Sequence, residues 1–153
     1  MKSDPDEYSI EDLEKSVSQT DYWDGVRNYQ ARNFMRDDIR VGDHVLFYHS
    51  GKKPSVVGTA RVVRSGYPDH TAWDPASRHY DAKSKAEEPI WFMVDIKLEN
   101  VFKKPLSLSE LRRIPGLKEM MLLKKGSRLS VQPVTPKEFD IIVALSKTAS
   151  HQE

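Results

Sequence analysis

Hydrophobic residues in this chain change their spacing several times, and each change marks an element. Ile10, Leu13 and Val17 recur at helical intervals behind Ser9 and Asp12, which stand three apart as in a capping box, so a short acidic helix is predicted over about Ser9–Val17. The Tyr22-Trp23-Asp24-Gly25 segment reads as a turn, followed by a second helical segment from Asn28 that stops near Asp37. His44–His49 (HVLFYH) and Ser55–Val63 (SVVGTARVV) are β-branched and aromatic runs on either side of a basic loop, Ser50-Gly51-Lys52-Lys53-Pro54, and predict a hairpin. Ile90–Val101 alternates over most of its length and is the longest strand candidate. Short helices are predicted over Leu108–Ile114 and Leu117–Leu122, a last strand over Leu129–Val134, and a C-terminal helix from the Thr135-Pro136-Lys137-Glu138 capping signal to about Ser146.

Between these elements, residues 65–89 lack periodicity and carry Gly66, Pro68, Pro75 and Pro89, so a long loop is expected there, a feature that in compact domains usually serves function. Short strands joined by hairpins and punctuated by short helices, without regular βαβ alternation, predict an α+β fold with a curled, mostly antiparallel sheet. No repeat or linker divides the chain, so residues 1–148 are expected to form one domain, with 149–153 as a tail.

Composition narrows the chemistry. The 153 residues contain no cysteine, which removes disulfides, thiolate catalysis and cysteine-based zinc sites and agrees with a reducing compartment. No stretch approaches the roughly 20 apolar residues of a membrane helix, and the N-terminus lacks a secretory apolar region. A cytoplasmic location is expected, or a nuclear one in a eukaryote. The formal net charge of +1 conceals an uneven distribution. Residues 1–22 hold seven acids against two bases, whereas 23–64 hold eight bases against four acids and 97–128 nine against three. A local basic face is what phosphates respond to.

Five ordered motifs then define a resemblance. Trp23-Asp24-Gly25-Val26-Arg27-Asn28-Tyr29-Gln30-Ala31-Arg32-Asn33 comes first, followed by Phe47-Tyr48-His49-Ser50 and Gly66-Tyr67-Pro68-Asp69-His70-Thr71. Trp91 with Met93-Val94-Asp95, and Arg128-Leu129-Ser130-Val131-Gln132-Pro133, complete the series. Together they resemble the EVE domain family over nearly the whole chain. The resemblance implies a PUA-like pseudo-barrel of mixed, mostly antiparallel strands with flanking short helices, related in architecture to the YTH readers of methylated adenine. It also implies a nucleic-acid partner, DNA or RNA, carrying a modified cytosine or adenine held out of the strand. No cofactor or metal is implied, and oligomeric state is not legible. The family usually opens on an apolar strand, often Trp-Leu, just before Met-Lys-Ser, where this chain starts at Met1, so either the start is clipped or misassigned or the first strand is short.

A base-reading pocket requires aromatic faces, polar groups for the base edge and cations for phosphates. Trp23, beside a glycine turn, is the first candidate wall and Tyr67 the second, with Pro68 fixing the local backbone; Tyr29 and Trp91 are further pocket candidates. Trp91, inside a strand, suits the core better than the pocket, Trp23 equally suits a plug of the barrel end, and Trp73 suits a lid or a loop anchor. Asn28, Ser50 and Asp69 are the candidate polar readers, a carboxylate being suited to accept from an exocyclic amine. Asn28 equally suits a helix cap, and Asp69 an Asx-turn. Arg27, Arg32, Lys52, Lys53 and Arg128 are the candidate phosphate contacts, with one of Arg27 and Arg32 expected in an internal ion pair.

Catalysis is the weaker reading. His49, His70, His79 and Asp81 fit no zinc spacing, and neither a nucleophile elbow nor a phosphate-cradling loop is present. The strongest enzymatic alternative is a hydrolase of a nucleotide or modified base using Asp69 and His70, although adjacent residues in an extended segment face opposite ways. A protein-interaction module using the acidic N-terminal helix is a third class, and it explains the pocket motifs poorly.

Overall fold

The computed structural model of the chain describes residues 1–126 and 129–151. Its strands are β1 (Lys2–Ser3), β2 (Thr20–Trp23), β3 (His44–His49), β4 (Ser55–Pro68) and β5 (Phe92–Ser107), in one sheet of order β1-β3-β4-β5-β2. Only the two-residue β1 pairs in parallel, through Lys2 opposite Tyr48 and Ser3 opposite His49. All other neighbours are antiparallel. In strand order β2 and β3 are separated by β5 and β4, yet the rings of Trp23 and Phe47 lie 5.3 Å apart. The sheet therefore curls until its far strand approaches β3, which is the expected α+β architecture.

The helices are α1 (Ile10–Lys15), α2 (Tyr29–Asn33), α3 (Leu108–Arg112) and α4 (Pro136–His151). Both predicted capping boxes form. The Ser9 hydroxyl accepts from Asp12 N while Asp12 accepts from Ser9 N, and Thr135 and Glu138 exchange the same two bonds at α4. A π turn over Phe34–Asp38 prolongs α2 to the predicted end and lays it across β4. Gly66 permits this approach, since a Cβ there would stand 2.3 Å from the Met35 carbonyl oxygen. Alternation along β3 explains its unbroken apolar run. Val45 and Phe47 join the interior shared with Trp23, Met35 and Ile96, while Leu46 and Tyr48 join a second core with Leu111, Leu117 and Ile142 beneath α3 and α4.

Six expectations need correction. The segment containing Tyr22 and Trp23 is a strand rather than a turn, with Trp23 opposite Val94 in the ladder to β5. The long loop starts later than residue 65, because β4 continues through several register shifts to place Tyr67 opposite Met93 and Pro68 opposite Phe92. β5 likewise runs to Ser107; Pro105 is tolerated there because β2 covers only residues 94–97, leaving the rest of that side an edge. Leu129–Val134 forms no strand. It is irregular, linked to β1 through Lys2 N donating to Ser130 O at 2.7 Å, and Pro133 has no N–H to extend a ladder. Residues 117–122 form parts of two single 3-10 turns rather than a helix, and α4 continues past Ser146 to His151.

Candidate nucleic-acid interface

On β5 Trp23 pairs with Val94 and Tyr67 with Met93, the latter beyond a register shift, and both rings border the same core. Tyr67 is not among the residues lining the cavity beside Trp23, so the two rings do not form the expected two-walled slot. Tyr67 instead donates its hydroxyl in a short hydrogen bond to Asp95 and carries the Arg64 guanidinium 3.5 Å above its ring centre. Burial, followed by the bond to Asp95, raises the Tyr67 hydroxyl well above its ordinary range.

Trp23 is buried to 8% exposure, with edge-on contacts to Tyr8 and Phe47, so it is a core residue as well as a wall. Its remaining edge opens on a cavity of about 400 Å³, within the roughly 300–1,000 Å³ range of small-molecule sites. Tyr8, Asp21, Tyr22, Asp24, Gly25 and His79 line it with Trp23. Four parts of the chain meet here: β1 with the turn after it, the end of β2, the loop following β4, and Ser130 of the segment before α4. The Arg78–Glu7 ion pair, 2.8 Å long, joins the loop to the N-terminal segment at the mouth. A larger cavity of about 640 Å³ lies elsewhere against α4, lined mainly by apolar side chains such as Phe34, Val62 and Phe139 and, among the described residues, by none predicted for the site.

Asp69 holds the first motif to the third. Fully buried, its carboxylate accepts from Gly25 N at 3.0 Å, Arg27 Nη1 at 2.9 Å, Thr71 N at 2.9 Å and Thr71 Oγ1 at 2.5 Å. Burial alone would raise its pKa, but the bonds from Thr71, Gly25 and Arg27 outweigh it and hold the group below the usual 3.8. Arg27 spends its other nitrogens on the His79 carbonyl, at 3.2 and 2.7 Å, so the loop that supplies His79 is clamped to the Gly25 turn. Gly25 has φ +75°, and a Cβ on it would stand 2.6 Å from the His79 ring. The imidazole thus closes over the glycine, and the motif demands a residue without a side chain there.

The remaining predicted residues separate. Asn28 caps α2, accepting from Gln30 N and Ala31 N, and Arg27 is the member of its pair engaged in an internal ion pair. Tyr29 is 59% exposed and stacks on Trp91 at 5.0 Å; Trp91 is buried and donates its indole N–H to Asp81. Neither lines the cavity, nor do Pro68 or Asp69. Ser50 lies beside it, its N–H donating to Ser3 O at 2.9 Å. Arg32 donates to Ile90 O and lies over Tyr29, while Lys52 and Lys53 are exposed in the turn beyond Ser50. Arg128 lies outside the described residues. Trp73 anchors the loop, half-buried, with its indole nitrogen sequestered from any acceptor among the described residues.

Sequence reasoning missed Tyr8, Asp24 and His79 as pocket residues. Asp24 was within reach, adjoining Trp23 in the first motif. Tyr8 and His79 carry no local signal, because tertiary contacts alone bring them in: Tyr8 through its hydroxyl to Asp21, and His79 through Arg27.

A curled α+β sheet presenting an aromatic-walled cavity of about 400 Å³ defines a class of small binding domains. Within that class the chain belongs to the EVE domain family, whose model matches residues 1–145. Thymocyte nuclear protein 1 of Danio rerio is 44% identical over 163 residues, covering 95% of this chain and 70% of that protein. Among solved structures, a hypothetical protein from Leishmania major is 45% identical with a TM-score of 0.92, covering 98% of this chain and 94% of that one. The human THYN1 protein, solved in complex with DNA containing 5-methylcytosine, is 40% identical with a TM-score of 0.90, covering 96% and 95%.

Proposed function

We propose that this protein is a reader that holds a single modified base, of the cytosine or adenine class, outside a nucleic-acid strand in the cavity walled by Trp23. The observation that carries the reading is the cavity itself, built on the first sequence motif and roofed by His79. The likeness of the whole chain to a human protein crystallised with 5-methylcytosine DNA supports the same partner. Lys52 and Lys53, in the turn next to Ser3, supply phosphate contacts that carry no sequence information. Extruding a base costs a few kcal/mol, and one stacked ring contributes roughly 1–3, so single strands are preferred over intact duplexes.

The protein acts by binding rather than by catalysis. The Asp69–His70 pair of the hydrolase alternative has no support: Asp69 is buried and fully hydrogen-bonded, whereas His70 is exposed and packs edge-on against Tyr22 at 5.4 Å. No helix among the described residues is long and apolar enough to cross a membrane. Fluorescence anisotropy across short oligonucleotides bearing single modified bases tests the proposal. Tighter binding to one modified strand than to its unmodified parent, with no product after long incubation, is expected. Equal affinity for all strands would overturn it.

A further inference from the structure

Four carboxylates line the Trp23 cavity, and three of them are occupied. Asp4 Oδ1 accepts from Asp6 N, and Glu7 is paired with Arg78. Asp21 uses both oxygens, one for the Tyr8 hydroxyl and the other for Tyr22 N. Asp24 differs. Beyond its own backbone N–H, the closest partner its carboxylate finds among the described residues is His79 Nε2 at 4.0 Å, outside hydrogen-bonding range, and its side chain is 28% exposed. Of the other candidate readers, Asn28 is spent on its helix and Asp69 on Arg27, Gly25 and Thr71, while Ser50 is not among the residues lining the cavity.

We infer that Asp24 selects the base, its carboxylate accepting the exocyclic amino group of a cytosine- or adenine-type ring seated against Trp23. The inference rests on the reading of this cavity as the base pocket. An ionised carboxylate only accepts hydrogen bonds, so it matches an amino group and opposes the keto oxygen that thymine or hypoxanthine presents at the same position. A half-buried carboxylate served by its own backbone alone is also costly, and an incoming N–H relieves that cost. Burial, as the largest influence, already raises the Asp24 pKa, as expected of a carboxylate short of donors. Asp24 adjoins the wall residue and lies 4.0 Å from the His79 imidazole, so a base seated between Trp23 and His79 lies beside this carboxylate.

The experiment compares bases that differ in the group offered at this edge. Single-stranded oligonucleotides carry one central 5-methylcytosine or thymine, and a second pair carries adenine or hypoxanthine. Wild-type protein is expected to prefer the amino member of the better-bound pair by at least about tenfold, the effect of one charge-assisted hydrogen bond. Asp24→Asn keeps the shape but offers either a donor or an acceptor, so the ratio should fall to about twofold or less, with the keto base gaining affinity. Asp24→Ser should lose the ratio in the same way and serves if the amide variant does not fold. A wild-type protein that binds the two members equally, or either folded variant keeping the wild-type ratio, overturns the assignment to Asp24. Wild-type protein that binds no oligonucleotide overturns the pocket reading and the assignment with it.

Discussion

Replacing Asp69 with asparagine removes the charge that ties three segments together. The native carboxylate is wholly buried and takes four hydrogen bonds, one from the Arg27 guanidinium whose side chain is 24% exposed. An amide of the same size can keep an oxygen toward one donor, but its NH2 then confronts another, and Arg27 loses its counter-charge. Breaking one partner of a buried pair costs about 3–5 kcal/mol, and the partial exposure of Arg27 places this site at the lower end, about 3 kcal/mol. For a chain of this size that corresponds to a fall in Tm of roughly 6–12 °C. Urea unfolding should show a lower midpoint with an unchanged slope, since little changes in the surface exposed. The acid limb supplies a second readout. Because the folded pKa lies below the usual 3.8, the carboxylate stabilises the fold above that value and the contribution disappears as pH falls toward the folded pKa. The difference between wild type and Asp69→Asn should therefore shrink below about pH 4. A loss under about 1 kcal/mol at neutral pH, or a difference independent of acid, would refute the clamp.

Other perturbations separate pocket from scaffold. Trp23→Ala should cost about 3–5 kcal/mol of stability by urea unfolding, since the ring is core as well as wall, whereas Trp23→Phe should fold and bind the modified strand more weakly. Wild-type affinity in Trp23→Phe would remove the indole from recognition. Neutralising Lys52 and Lys53 to glutamine should lessen the slope of log K against log salt by about 0.7 for each phosphate left without its cation, with base preference intact. A changed preference at constant slope would mean that the turn reads bases. Gly25→Ala forces a strained φ and drives a methyl group into the His79 ring, so both stability and oligonucleotide affinity should drop, by about 1–3 kcal/mol for the former. Unchanged melting and binding would show the turn to be pliable.

Local signals in the sequence located most of the scaffold and only one wall of the site. Ser9 with Asp12 and Thr135 with Glu138 announced their helix starts because capping is a contact between near neighbours. The β3–β4 hairpin was legible because its strands are buried on both faces. β2 was missed because it has four residues and runs straight into Asp24-Gly25, so turn chemistry masked the pairing of Trp23 with Val94. Tyr67 was misplaced as well, because its position is set by its register with Met93 at the end of β4 rather than by its own sequence neighbours. Asp69 was chosen as a reader for its chemistry, and the same chemistry makes it the acceptor for Arg27 and Gly25 once the chain folds. Such long-range partners, 42 and 44 residues away, leave no local mark.

The most direct measurement is the structure of the protein bound to a short single strand that carries the best-bound modified base. The ring should sit against Trp23 beneath His79, with its amino edge toward Asp24 and the phosphates of the strand toward Lys52 and Lys53. A base lodged against α4 in the larger cavity, or a strand bound with all its bases stacked, would contradict that placement.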